Sequence, residues 1–349
     1  MDKKISVCGL TTEELRELIK PSGFNLRHSL SVMNFFYKSK GVVYGDIPNL
    51  PGPLKTFLNE NTRTGVYPPK NEMRSADGSV KYLFRNEEQQ EFETVFIPEG
   101  RRKTVCVSTQ SGCRMGCSVC ATARYGFYGN LSAGDIVNQV ISLPQSKEVT
   151  HIVFMGMGEP MDNLENVVKA CRIMTAEWGL AISKRNITVS TVGITPAIKV
   201  FLEDSGCNLS LSLFSPFAEE REKLAGVERR YPVKEIISIL SGIPLTKKRR
   251  ITIAYVMLKD FNDTDRHLDA LKTLLAGQDL RVNLLPYHST GADAFISSPQ
   301  ERMELFRHEL MMAGISASVR KSRGKDISAA CGLLASQLYE RKGQVSFPQ

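Results

Sequence analysis

Two hydrophobic periods divide the chain. Up to residue 65 apolar positions recur at helical spacing: "LTTEELRELI" places Leu15, Leu18 and Ile19 on one face, with Thr11 and Glu14 at the spacing of a capping box. The helical pattern continues through "LRHSLSVMNFFYK", breaks at the three prolines of "DIPNLPGPL", and resumes over Leu54 to Glu60. From "VKYLFR" and "EFETVFIP" the period changes to strand alternation, which Pro98-Glu99-Gly100 interrupts. Six apolar, β-branched runs follow: "TVCVST", "HIVFMGM", "NITVST", "NLSLSLF", "RITIAYVML" and "RVNLLPY". Between them lie helical patterns such as "AGDIVNQVISL", "LENVVKACRIM", "TPAIKVFLE", "VKEIISIL", "DRHLDALKTLL" and "QERMELFRHELMMAG". Strands that alternate with helices predict a parallel sheet. Six units fall short of the eight in a closed (β/α)8 barrel. The expected fold is therefore α/β, a partial (β/α)6 TIM-like barrel over 99–335. A small helical domain (1–65) and a strand-rich connecting segment (66–98) precede it, and a C-terminal tail (336–349) extends it. In such a barrel the active site belongs at the C-terminal ends of the strands.

Composition adds a compartment and a charge. No window approaches the ~20 apolar residues of a membrane span, and "MDKKISVCGL" lacks an apolar run of signal-peptide length; the expectation is a cytoplasmic monomer without membrane contact. In that reducing setting clustered cysteines bind metal or do chemistry more often than they form disulfides. The formal charge of +8 points to an anionic partner, with basic clusters at Arg101 to Lys103, Lys247 to Arg250 and Arg320 to Lys325.

Four of the eight cysteines fall between Cys106 and Cys120. Cys113, Cys117 and Cys120 have the spacing C-x3-C-x2-C on the loop after the first barrel strand. Three thiolates suit a [4Fe-4S] cluster that keeps one iron free for a ligand. A zinc site completed by Cys106 or a histidine accounts for the same spacing. At the end of the second strand stands Gly156-Met157-Gly158-Glu159-Pro160, which on its own reads as a tight turn.

Taken together, the C-x3-C-x2-C motif, "GFYGNLS", "FMGMGEP", "STVGITPAI", "ITIAYVML" and "GKDISAACG" resemble, over roughly residues 90 to 335, the radical S-adenosylmethionine (SAM) superfamily and within it the RlmN/Cfr family of RNA adenine methyltransferases. The resemblance implies a radical SAM core with a [4Fe-4S] cluster on Cys113, Cys117 and Cys120. It implies SAM contacts at Gly158, Glu159, Ser190, Ser212, Leu213, Phe214 and His288. The family has His where this chain has Phe214 and Asn where it has His288, and Val119 and Leu333 also depart from it; His288 stands as a replacement donor.

The implied chemistry follows from the substrate. Carbon 2 of adenine is electron-poor and does not attack the methyl of SAM, so the family uses a 5′-deoxyadenosyl radical acting on a methyl already carried by a cysteine. Cys331 matches that carrier, Cys106 the thiol that releases the product by forming a disulfide, and Glu93 the proton acceptor. Both thiols are expected to be exposed and reactive. Read without the resemblance, Cys106 is a small hydrophobe on an alternating strand and Glu93 a solvated carboxylate at a strand edge, as Cys8, Cys171 and Cys207 are expected to be plain buried residues. The implied partners are RNA (23S rRNA, tRNA or both), gripped by residues 1–65 as an RNA-binding domain, and an electron donor such as flavodoxin or ferredoxin. "ETVFIPE" and the proline of GMGEP are closer to RlmN, the C2 enzyme, than to Cfr, which acts at C8. A C8 methyltransferase and a catalytically silent iron-sulfur RNA-binding paralogue are the alternatives.

Overall fold

The computed structural model describes residues 4–39, 44–243, 249–290, 295–335 and 337–338. Lys247, Lys248 and the tail from residue 339 lie outside the described residues. The N-terminal unit comprises β1 (Ile5–Ser6), α1 (Thr12–Ile19), α2 (His28–Ser39), α3 (Gly52–Asn61) and β2 (Thr62–Arg63), with β1 and β2 paired in parallel. Its first helix starts where the sequence places it: the Thr11 hydroxyl accepts the Glu14 N–H at 3.2 Å and the Glu14 carboxylate accepts the Thr11 N–H at 2.8 Å. Leu15 and Ile19 are buried, as are Val32, Met33 and Phe36 of α2 and Leu54 and Leu58 of α3.

A ten-stranded mixed sheet forms the rest of the frame. In chain order its strands are β3 (Asn71–Arg74), β4 (Val80–Arg85), β5 (Glu91–Glu99), β6 (Arg102–Cys106), β9 (His151–Phe154), β10 (Ile187–Thr191), β11 (Asn208–Ser212), β12 (Ile251–Met257), β13 (Leu280–Pro286) and β14 (Ala317–Val319). From β6 to β14 all neighbours are parallel; β3, β4 and β5 form an antiparallel meander joined to β6. The six expected runs are β6 and β9 to β13. The seventh parallel strand, β14, has three residues, too few to display a period.

Helices α5 (Ala133–Ile141), α6 (Leu164–Thr175), α7 (Thr195–Asp204), α9 (Val233–Gly242), α10 (Asp265–Leu275) and α11 (Gln300–Met312) follow the expected patterns. Two short ones, α4 (Ala121–Tyr125) and α8 (Ala218–Leu224), carry no such pattern. In β12 the burial alternates strictly, with Ile251, Ile253, Tyr255 and Met257 buried and Thr252, Ala254 and Val256 only half-buried. β10 behaves likewise, with Ile187, Val189 and Thr191 buried and Thr188 and Ser190 half-buried. A parallel sheet covered on both faces would bury every position. The half-buried register faces the barrel interior.

After β14 the chain crosses to the opposite edge of the sheet. There the Gly324 N–H donates to Asp77 at 2.9 Å, while Asp326 accepts from the Ser75 hydroxyl at 2.6 Å and the Ala76 N–H at 3.1 Å. Desolvation pushes the Asp77 carboxyl up, but the Gly324 N–H and the Ser79 and Ser75 hydrogen bonds outweigh it and hold it at about 2. Residues 320–335 thus form a strap across the side of the barrel between β14 and the β3–β4 turn.

Candidate active site

The cysteine loop is fixed from several directions. After β6 the chain pairs β7 (Gln110–Gly112) with β8 (Phe127–Asn130) as an antiparallel hairpin, and the loop between them carries Cys113, Cys117, Cys120 and α4. Gly112 has φ +78°, and a Cβ there would come within 1.6 Å of the Gly126 carbonyl oxygen, so the turn requires glycine. The Cys113 N–H donates to Gly126 O at 2.9 Å, the Ser118 N–H to Leu224 O at 2.9 Å, and the Ala121 N–H to Gly332 O at 2.8 Å. Around the loop a second apolar cluster gathers Cys117, Val119, Phe214, Leu224, Leu258 and Tyr287, with Met115 and Cys120 packed against it. Cys117 is thus buried in an apolar pocket at the ends of β11, β12 and β13, with Cys113 and Cys120 half-buried beside it.

Their electrostatics call for a cation. Burial pushes the Cys113 thiol up to about 12, with Cys120, Glu159 and Asp162 adding to it. Burial likewise holds Cys117 well above the ordinary thiol range, reinforced by Cys120, Cys113 and Glu159 and opposed by Arg221. Bound metal reverses this balance, because a coordinating thiol is deprotonated outright. A zinc ion needs its thiolates about 2.3 Å from one centre. Among the described residues no three His, Cys, Asp or Glu side chains converge as ligands of a single ion do. A [4Fe-4S] cluster presents separate irons to separate thiolates, and three neighbouring thiols in an apolar shell fit it.

Beside the loop stands Glu159. Its carboxylate accepts the Met161 N–H at 3.0 Å and the Val192 N–H at 2.9 Å, and its own N–H donates to Gln110 at 2.9 Å. Burial raises it to about 7, against the opposing Thr191, Val192 and Met161 hydrogen bonds. A carboxylate so placed suits a cationic ligand such as the amino group of SAM, next to the thiols whose charge it already influences. Gly158, with φ +98°, lets the backbone approach Gln110, where a Cβ would come within 2.6 Å. Ser190 and Ser212 lie half-buried on the interior register and Leu213 is fully buried. Phe214 is buried with φ +65°, a conformation costly for an aromatic residue, and its carbonyl accepts the Asn262 amide at 2.7 Å. His288 meets the strap: its Nε2 is 2.7 Å from the Ser322 hydroxyl, and burial, then Lys325, lower its pKa.

Cys331 lies on the strap, exposed, within electrostatic range of two other thiols, Cys106 and Cys120. Gly332 and Leu334 tie it to α4, through the Ala121 N–H and through the Thr122 hydroxyl at 3.0 Å. Desolvation in this crowded setting raises Cys331, Arg320 draws it down, and Cys120 raises it again. Cys106 ends β6 between Val95 of β5 and Val153 of β9. It is buried, and burial followed by the Cys331 charge pushes its thiol above the ordinary range. The expectation of two exposed thiols thus holds for Cys331 and fails for Cys106, because strands flank the latter on both sides. Glu93 also departs from the solvated strand-edge carboxylate that its residue type suggests: it is 3% exposed, paired at 3.2 Å with Lys81, and accepts the Ala335 N–H at 2.8 Å. Lys81 in turn donates to Ser328 O and to Gln337, both at 3.4 Å. Sequence reasoning missed Lys81, whose only signal is a charge inside the run "VKYLFR" that is buried on both faces.

The Radical SAM superfamily pattern matches residues 107–271. A probable dual-specificity RNA methyltransferase RlmN from Parabacteroides distasonis is 39% identical over 335 residues, covering 96% of this chain and 98% of that protein. The dual-specificity RNA methyltransferase RlmN of Syntrophotalea carbinolica is 37% identical, covering 97% and 91%. Among solved structures, a radical SAM methyltransferase from Sphaerobacter thermophilus superposes with a TM-score of 0.86 at 36% identity, covering 95% of this chain and 99% of that one.

Proposed function

The chain belongs to the RlmN family of radical SAM RNA methyltransferases, and from that premise we propose that it transfers a methyl group through Cys331 to C2 of an adenine in 23S rRNA, tRNA or both. The observation that carries the reading is the meeting of three elements: the strap brings Cys331 beside the cysteine loop at α4 and within the electrostatic reach of Cys106.

In this reading Cys113, Cys117 and Cys120 hold the [4Fe-4S] cluster, and Glu159 with the backbone at Gly158 receives the amino group of SAM. Ser190, Ser212, Leu213 and Phe214 complete the wall, and His288 joins it through Ser322. When bound, cluster and SAM supply the one-electron chemistry that makes an inert C–H bond reactive. The exposed Cys331 sulfur accepts the methyl group and presents it to the base. The carried methyl loses one hydrogen to the one-electron chemistry, its carbon bonds to the base carbon, whose own hydrogen leaves as a proton, and RNA and enzyme are then joined by a thioether at Cys331. Attack of the Cys106 thiolate on the Cys331 sulfur forms a Cys106–Cys331 disulfide and breaks the sulfur–carbon bond; the electron pair of that bond stays with the methylene carbon, which takes up a proton to become the methyl group of the released RNA, and an external thiol then reduces the disulfide. Glu93 accepts the proton lost from the base once it is freed from Ala335. The N-terminal unit and the basic surface grip structured RNA, whose target base must leave its stack to reach the barrel mouth. The reductant is a low-potential carrier of the flavodoxin or ferredoxin class.

Incubation of reduced enzyme and RNA with SAM bearing a deuterated methyl group, followed by nucleoside mass spectrometry, tests the reading. Labelled 2-methyladenosine is expected; labelled 8-methyladenosine, or no labelled adenosine, contradicts it.

A further inference from the structure

A cavity of about 400 Å³ opens beside the barrel mouth, between the ends of β13 and β14, the start of α11 and the first residues of the strap. We infer that it is a binding site for a backbone phosphate of the RNA strand next to the target nucleotide; this deepens the proposed function and rests on it.

Three cations line the cavity, Arg320, Lys321 and Lys325, and all three are exposed. No ion pair among the described residues involves any of them, whereas their neighbour Arg323 is 3.9 Å from Glu99. The wall contains one acid, Glu304, and Arg307 occupies it at 2.6 Å. The cavity therefore carries an unbalanced positive charge. Its remaining polar wall includes Ser322, whose hydroxyl is held by His288 at 2.7 Å. Pro286, Val319 and Met303 supply an apolar surface, which lowers the local dielectric and strengthens attraction for an anion. The volume exceeds that of a phosphate and leaves room for the attached ribose.

Position links this cavity to the reaction. Arg320 lines it and also acts on the Cys331 thiol. The strap that supplies Arg320, Lys321, Ser322 and Lys325 to the cavity also carries Cys331, so a phosphate held there rests on the same segment as the carrier cysteine.

The test uses anaerobically purified holoenzyme carrying Lys321→Ala and Lys325→Ala together, with Lys199→Ala on the exposed face of α7 as control. RNA affinity is measured across a salt series, and methylation of Cys331 is measured without RNA. The pocket variant is expected to bind RNA about ten-fold more weakly and to lower the slope of log K against log salt by about one for each phosphate it no longer neutralises. Methylation of Cys331 stays at the parental level, and the control matches the parent throughout. Unchanged affinity and slope overturn the inference, as does an equal loss in the Lys199→Ala control, which marks diffuse charge. Weakened binding of adenosine 5′-monophosphate with unchanged RNA binding also overturns it, by making the occupant a free nucleotide. Failure of the proposed function reads differently: Cys331 stays unmethylated in the parent itself, whatever the salt series gives.

Discussion

Replacing Cys106 by alanine is expected to leave the enzyme covalently attached to its RNA. A thioether does not hydrolyse under mild conditions, so release depends on a second thiol attacking the Cys331 sulfur, and Cys106 is the thiol whose charge Cys331 shifts from across the site. Product release should fall below one RNA per enzyme. A nuclease-resistant nucleotide should remain on the Cys331 peptide, visible as a slow band on a denaturing gel and as an added mass. Release of methylated RNA at the parental rate by Cys106→Ala would remove Cys106 from the reaction. In the parent, burial holds the Cys106 thiol above the ordinary range, so the attacking thiolate is scarce at neutral pH. Its fraction grows about ten-fold per pH unit below the thiol pKa, and the release step of a single turnover should accelerate accordingly between pH 7 and 9.

Lys81→Met should be the most damaging substitution outside the cysteines. Lys81 on β4 and Glu93 on β5 are diagonal cross-strand neighbours, since Lys81 faces Val95 and Glu93 faces Leu83. Both are nearly inaccessible and 3.2 Å apart. Removing the lysine strands a buried carboxylate, at a cost of about 3–5 kcal/mol; an apolar pair of similar volume avoids that penalty. The urea midpoint should therefore fall sharply in Lys81→Met and recover largely in Lys81→Met/Glu93→Leu. Hydrogen exchange at Ala335, whose N–H rests on Glu93, should rise in both. A single variant as stable and as protected as the parent would contradict the role given to this pair in anchoring the strap.

The relation between sequence and structure differs by element. Strands β9, β10, β12 and β13 were legible because their burial alternates, which writes a period into residues such as Ile251, Ile253 and Tyr255. The capping box at Thr11 was legible because its partners are three residues apart. β14 and the β7–β8 hairpin are too short for a period, and α8 is a charged helix of seven residues. The cysteine loop was legible through its spacing and the burial of Cys106 through its place on an alternating strand, but its neighbour Val153 of β9 was not, because that residue lies far away in sequence. For the same reason Glu93 resembled a surface carboxylate until Lys81 and the strap, 242 residues downstream at Ala335, were placed against it. The left-handed backbone at Phe214 was not legible in its residue type, since an aromatic side chain rarely adopts that conformation, and Ser215-Pro216 after it marks only a turn.

The central claim is that Cys331 carries the methyl group. Mass spectrometry of the peptide containing Cys331, from protein expressed and purified without oxygen, tests it most directly. The account predicts a methyl group on that sulfur, absent from a Cys113→Ala variant that cannot assemble the cluster. An unmodified Cys331 in parental protein that holds its iron and sulfide would contradict it.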